Sequence, residues 1–307
     1  MQLVLLFPGQ GAQKVGMGRR LYENSACVRS YFDLADRLLP FRLTELCFNG
    51  PEEGLKETKV CQPALYVMGY SIFACLKEAQ FFSRNELACT CGLSLGELTA
   101  LAIAGVFDFE TGLALVAERG RLMQEACESA PTGMLSLIGG NLSLVEELCQ
   151  NFDLDVSNLN CPGQIVVSGP LAALSEAKVK AKAMGFKLAI PLEVAGAYHS
   201  RWMKGASEKF EKFIGQFKFN APQCTVLTNV SGQAVCQPDE IKQMLVRQIT
   251  SRVRWEDCMR YLLTKNLVHC FECGPGNVLA GLARRIDPAL QVNSVGDWEQ
   301  VEALLGA

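Results

Sequence analysis

Short apolar runs alternate with longer stretches whose apolar residues recur every three or four positions, over most of the chain. The first pattern is that of buried strands and the second that of amphipathic helices. Residues 3–7 and 268–272 predict strands, ended by the turns Pro8-Gly9-Gln10-Gly11 and Gly274-Pro275-Gly276. Residues 63–76, 96–104, 110–127 and 277–285 predict helices. Alternation of this kind marks an α/β fold with a largely parallel sheet.

The stretch 133–192 keeps its own rhythm. Strands are expected over 134–138, 155–159, 164–168 and 186–190, with helices over 143–151 and 171–184. That order, βαββαβ, is the order of a ferredoxin-like unit. The economical division is a larger α/β subdomain from 1–131 and 193–307, with 132–192 inserted as a compact ferredoxin-like subdomain. A cleft between two such bodies is a common place for a ligand pocket.

Composition narrows the class without choosing the chemistry. The chain has 307 residues, 49 % hydrophobic and 20 % charged, enough for a buried core in one large domain or two unequal ones. A net charge of −3 is too mild for a nucleic-acid or membrane-surface binder. The opening apolar run is too short for a signal peptide and lacks a basic leader, and no window approaches the roughly 18 apolar residues of a membrane helix. The fourteen cysteines follow no disulfide framework, so they are expected to be reduced and mostly buried, in a cytoplasmic protein. His269-Cys270-Phe271-Glu272-Cys273 holds a CxxC, but on a strand its cysteines would face opposite sides, and no second Cys/His pair stands at ligand spacing. No metal is expected.

Residues 86–91 run apolar into Gly92-Leu93-Ser94-Leu95-Gly96, and a helix follows at once. This is G-x-S-x-G in its context of strand, tight turn and helix, which lifts the serine hydroxyl clear of the sheet. Ser94 is therefore the candidate nucleophile, with the Leu95 amide and the helix N-terminus facing a developing oxyanion. A serine needs a base, and only His199 and His269 are available. His269 falls inside an apolar strand and reads as a satisfied structural histidine. His199 lies in the small-residue loop Val194-Ala195-Gly196-Ala197-Tyr198-His199-Ser200, just after the inserted unit, and is the candidate base.

On the 110–127 helix, Arg119 stands three or four positions from Leu115, Val116, Leu122 and Met123 and so points inward with them. Arg121 sits on another face, within reach of Glu118 and Glu125. An inward guanidinium without a partner costs about 3–5 kcal/mol. It must face a protein carboxylate or an anionic ligand, and helix geometry does not choose between them. The loop Gly9-Gln10-Gly11-Ala12-Gln13 lacks the lysine and hydroxyl of a phosphate loop; it is either a second oxyanion donor or a plain strand-to-helix connection.

Taken together, these segments resemble the malonyl-CoA:acyl carrier protein transacylases and their acyltransferase relatives in polyketide synthases. The matching motifs are Phe7-Pro8-Gly9-Gln10-Gly11-Ala12-Gln13, Gly92-Leu93-Ser94-Leu95-Gly96-Glu97 and Gly196-Ala197-Tyr198-His199-Ser200. Asn160-Cys161-Pro162-Gly163-Gln164 and Phe271-Glu272-Cys273-Gly274-Pro275-Gly276 are similar to two further signatures, and the order is the family's over nearly the whole chain.

The resemblance implies an α/β fold whose larger subdomain is hydrolase-like and carries the parallel sheet. It implies ping-pong transfer of a malonyl group from malonyl-CoA to the phosphopantetheine thiol of acyl carrier protein, as in fatty-acid synthesis, with no cofactor and with a monomeric enzyme. Ser94 would carry the acyl group and His199 would be its base. Gln248, in Val246-Arg247-Gln248-Ile249, would orient the histidine through its backbone carbonyl. The amides of Gln10 and Leu95 would form the oxyanion hole, and Arg119 would pair with the malonyl carboxylate. The pocket around Tyr198 and Met123 would decide between malonyl and methylmalonyl groups.

Two positions depart from the family: Leu93 where histidine is usual, and Cys61 where threonine is common, which would weaken a helix cap by about 1 kcal/mol. A basic face around Lys178, Lys180, Lys182 and Lys187 would suit an acidic carrier protein, or is merely a solvated helix. A serine esterase or thioesterase would use the same elbow, and a non-catalytic acyl-carrier-binding protein could keep the fold. Arg119 speaks against the first, and the pairing of Ser94 with His199 against the second.

Overall fold

The computed structural model describes residues 1–306. Leu3 to Phe7 are all buried, and alternate members feed different clusters: Leu3, Leu5 and Phe7 pack on one side, Val4 and Leu6 on the other. A strand covered on both faces belongs in the middle of a parallel sheet, and that is where it lies.

The strands in chain order are β1 (Gln2–Phe7), β2 (Glu86–Gly92), β3 (Thr132–Ile138), β4 (Asp155–Cys161), β5 (Gln164–Pro170), β6 (Leu188–Pro191), β7 (Thr225–Leu227), β8 (Ala234–Val235), β9 (His269–Cys273) and β10 (Gln291–Val295). Six form one sheet in the order β10-β9-β1-β2-β7-β8. Its pairs are parallel except β7 with β8, an antiparallel edge. The long helices Thr58–Glu78 and Phe109–Glu128 pack on the Leu3–Leu5–Phe7 side. The second is capped by Asp108, whose side chain accepts from Thr111 N at 2.8 Å.

The other four strands form an antiparallel sheet, β4-β5-β3-β6, with the helices Leu142–Phe152 and Leu171–Ala183 crossing one face. This is the expected βαββαβ arrangement, with each element within two residues of its expected start. Leu135, Leu137, Ile165 and Val167 turn toward the helices, whereas Met134, Ser136, Asn158 and Val166 turn toward the first sheet. The period of two thus divides β3 and β5 between a private core and a cleft wall. Two backbone bonds of 2.8 Å, Leu159 N to Val253 O and Val253 N to Ser157 O, tie the bodies together beside the cleft.

One helix start differs from expectation. The helix expected from Pro63 begins at Thr58, so Pro63 lies in its interior. The turn before the proline is already closed, with Cys61 N donating to Glu57 O at 2.8 Å, so the missing N–H removes one later bond without ending the helix. Cys61 is consequently a buried interior residue and not a cap, and the expected weakening does not arise. No described helix is long and apolar enough to cross a membrane.

Candidate active site

Ser94 sits between the end of β2 and the first turn of the helix Leu95–Ile103, with φ +54°. The turn is tight enough to dictate its glycines: a Cβ on Gly92 would lie 1.9 Å from the Gly96 carbonyl carbon, and one on Gly96 would lie 2.1 Å from Phe7 O. A left-handed serine costs about 1–3 kcal/mol and needs surroundings that hold it. Asn229 supplies them. Its Oδ1 accepts from Ser94 N at 2.6 Å and its Nδ2 donates to Gly92 O at 2.8 Å, so one side chain clamps both arms of the elbow.

Ser94 Oγ lies 2.7 Å from His199 Nε2, and His199 Nδ1 lies 2.8 Å from the backbone oxygen of Gln248. A carbonyl can only accept, so Nδ1 carries the proton and Nε2 is left with its lone pair facing the serine. Burial, and then the charge of Arg119, lower the imidazole's pKa to about 4, so the ring is neutral and basic at ordinary pH. His269 opens β9, partly buried and away from the residues around Ser94.

Arg119 is 1 % exposed. Its Nη1 donates to Gln62 Oε1 at 2.7 Å, and its Nη2 to Gln248 Oε1 at 2.8 Å and to Ser94 Oγ at 3.2 Å. All three acceptors are neutral, and Nε has none. Burial brings the guanidinium's pKa down to about 10, still far above neutrality. A buried cation thus points at the Ser94 hydroxyl without an adjacent anion. Arg121, as expected, is on the outside with Glu118 and Glu125.

Beneath the elbow lies Glu97, fully buried. Its Oε2 accepts from Asn229 N at 2.9 Å and from Gln248 Nε2 at 2.6 Å, while Oε1 has no partner. Burial raises its pKa to about 7, against the lowering pull of those hydrogen bonds and of Arg119.

A cleft of about 250 Å³ opens over Ser94 and His199 between the two sheets, with Gln10, Leu95, Met123 and Tyr198 among its walls. Leu95 N, at the first position of its helix, has no intrahelical acceptor and is free to serve an oxyanion. Gln10 reaches the cleft because its loop lies directly against the elbow: a Cβ on Gly9 would be 2.6 Å from Leu93 O. The Gln10 side chain donates to Tyr198 Oη at 3.3 Å, and Tyr198 Oη is 2.6 Å from Thr58 Oγ1. Leu93 also lines the cleft. A more open groove of about 680 Å³, rich in arginine and carboxylates, touches His199 from its other side but does not include Ser94.

The six residues expected to carry the chemistry meet at one place: Ser94, His199, Gln248, Arg119, Gln10 and Leu95. The basic cluster does not border the cleft. The helix bearing Lys178 and Lys182 covers the opposite face of its sheet. Cys270 and Cys273 pack in clusters on opposite sides of β9, and no described group of three or more His, Cys, Asp or Glu is arranged to hold a metal ion. Sequence reasoning missed Gln62, Glu97 and Asn229 as site residues. Glu97 alone carried a signal, as the one charged residue in the otherwise uncharged helix Leu95–Ile103.

Residues 4–277 match a family model described as the acyl transferase domain. The chain belongs to the acyl transferase family. Among its relatives, the malonyl CoA-acyl carrier protein transacylase of Bacillus subtilis is 35 % identical over 306 residues, covering 98 % of this chain and 95 % of the relative. That of a Staphylococcus aureus strain is 36 % identical over 303 residues, covering 97 % and 96 %. The crystal structure of a Vibrio cholerae acyl carrier protein S-malonyltransferase superposes with a TM-score of 0.93 at 36 % identity, over 98 % of this chain and 99 % of that one. A malonyl-transacylase solved in complex with a type II polyketide synthase acyl-carrier protein superposes with a TM-score of 0.93 at 32 % identity, over 100 % and 99 %. The acyl transferase thus shares its whole length, and not one motif, with these proteins.

Proposed function

We propose that this acyl transferase moves a malonyl group from malonyl-CoA to the phosphopantetheine thiol of acyl carrier protein, by way of an ester on Ser94. The observation that carries the reading is the Arg119 guanidinium, buried, free of any adjacent anion and 3.2 Å from the nucleophilic oxygen. A fork of donors at that spot suits an acyl chain ending in a carboxylate.

In the first half-reaction, Ser94 Oγ attacks the thioester carbonyl as His199 Nε2 takes its proton. The oxyanion is met by the Leu95 and Gln10 amides. Its collapse breaks the C–S bond, and the imidazolium returns the proton to the departing CoA sulfur. In the second, the carrier thiol gives its proton to His199 and attacks the ester, and Ser94 leaves with that proton restored. The Gln248 carbonyl fixes the histidine's tautomer without adding a full negative charge, so the push on an attacking water is weaker than a carboxylate would give. Both donor and acceptor are water-borne, and the reading includes a cytoplasmic enzyme that needs no cofactor.

Incubation with radiolabelled malonyl-CoA, followed by denaturation, is expected to leave label on the wild-type chain and none on Ser94→Ala. An unlabelled wild type would overturn the covalent route.

A further inference from the structure

Glu97 takes no part in the proposed transfer, yet it bonds Gln248 and Asn229, the two residues that hold Arg119 and the Ser94 elbow. Gln248 presents its amide oxygen to Arg119 and its amide nitrogen to Glu97, with Ser94 O as a second acceptor of that nitrogen at 3.0 Å. The reverse orientation would set an oxygen against the carboxylate and an NH2 against the guanidinium, so the carboxylate decides which way the amide faces. Through Asn229 the same carboxylate steadies the elbow. Among the described residues no carboxylate touches Arg119; Glu97 is one amide away, and its unpartnered Oε1 leaves its charge poorly compensated.

We propose that Glu97 is a positioning residue that acts through Gln248, and that it is the resident counter-charge of Arg119 until an acyl carboxylate arrives. The second half rests on the reading that Arg119 receives that carboxylate. With a malonyl group in place, two carboxylates share one guanidinium where water cannot screen them. Like charges raise each other's proton affinity, so Glu97 takes up a proton as the malonyl group binds.

The groups acting on Glu97 are Arg119 from its helix and Cys91 from β2 with Cys258 beside it; Gln248 and Asn229 are neutral, and His199 stands beyond Gln248, on its backbone carbonyl. Burial keeps His199 at about 4, Arg119 at about 10 and the Cys91 thiol well above its ordinary range. That leaves Glu97, at about 7, to change charge between pH 6 and 8.

Calorimetric titration of malonyl-CoA and acetyl-CoA into the full-length Ser94→Ala protein, in buffers of different ionisation enthalpy at pH 7, reads this directly. Proton uptake is expected with malonyl-CoA and not with acetyl-CoA. Adding Glu97→Gln, whose amide oxygen can accept the same two N–H bonds, should abolish the uptake. It should also tighten malonyl-CoA relative to acetyl-CoA by about fivefold or more. Equal uptake with both ligands, or none with either, overturns the counter-charge role even if the double variant fails to fold. So does an unchanged malonyl preference in a folded double variant. Adding Arg119→Ala instead separates the two readings: if malonyl-CoA keeps its advantage there, the carboxylate is read elsewhere and the Arg119 assignment fails first.

Discussion

The two faces of the helix Phe109–Glu128 carry one arginine each, two residues apart, in opposite surroundings. Arg121 is about half exposed and meets two carboxylates, Glu118 at 2.7 Å and Glu125. Arg119 is buried and meets none, only two amide oxygens and the Ser94 hydroxyl. Where water screens charge, carboxylates gather round a guanidinium and contribute little. Where water is excluded, neutral oxygens hold the guanidinium's geometry without neutralising it, and its affinity for an incoming anion is preserved. The number of ion pairs around an arginine is thus a poor guide to its importance on this helix.

Removing each arginine tests that contrast, and Arg119→Ala should have the larger effect. Deleting one partner of a desolvated charge pair costs about 3 kcal/mol or more, so kcat/KM for malonyl-CoA should fall on the order of 10²-fold or beyond. Acetyl-CoA, which brings no carboxylate, should be affected far less, so selectivity between the two collapses. Steady-state rates with both thioesters decide it. A parallel loss on both would mean that Arg119 supports the site without reading the acyl group.

The inward aim of Arg119 was legible from periodicity alone, because helix geometry fixes which side chains share a stripe. So were the elbow, forced by its glycines, the inserted sheet and the three central strands of the larger one, which read as runs bounded by turns; its outer strands Thr225–Leu227, Ala234–Val235 and Gln291–Val295 were not. Gln62, Asn229 and the role of Glu97 were not legible. They act by hydrogen bonds between segments up to 151 residues apart, such as Gln248 to Glu97, and nothing local distinguishes Asn229 from any turn asparagine. Gln248 came from resemblance, since a backbone carbonyl leaves no mark on residue type. The early start of the helix Thr58–Glu78 was hidden because Pro63 reads as a first-turn residue, whereas the preceding turn is closed by Glu57 O.

Gly120, between the two arginines, sharpens the comparison by moving the helix itself. A Cβ there would lie 2.7 Å from Thr58 O and 3.1 Å from Lys59 Cα, both backbone atoms that cannot step aside cheaply. Gly120→Ala should destabilise the protein by about 1–3 kcal/mol despite alanine's better helix propensity. It should also disturb Thr58, whose hydroxyl meets Tyr198 in the cleft wall. Chemical denaturation measures the first effect. Unchanged stability would show that the two helices can part freely here.

Arg121→Ala is the smaller counterpart. Its two intrahelical pairs lie in water and are worth about 0.3–0.5 kcal/mol each, so stability should drop by less than about 1 kcal/mol and malonyl transfer should be unaffected. A loss of activity approaching that of Arg119→Ala would dissolve the distinction between the faces.

The smallest effect expected of the wild type is a flat pH profile, and the two arginines should separate on it as well. In the proposed mechanism His199 is a base only when neutral, so the rate should fall as pH drops through its folded pKa. Burial first, and Arg119 second, hold that pKa at about 4. Between pH 7.5 and 5.5 the acylation rate with acetyl-CoA should therefore change by less than about twofold, whereas a histidine at its ordinary value would lose roughly tenfold. Arg119→Ala removes the neighbouring positive charge, which favours protonation, so its acid limb should move upward toward neutrality. Arg121→Ala, on the solvent face, should leave the limb where it is. If both variants shift alike, or the wild type already falls tenfold by pH 5.5, the imidazole is less enclosed than its contacts with Ser94 and Gln248 require.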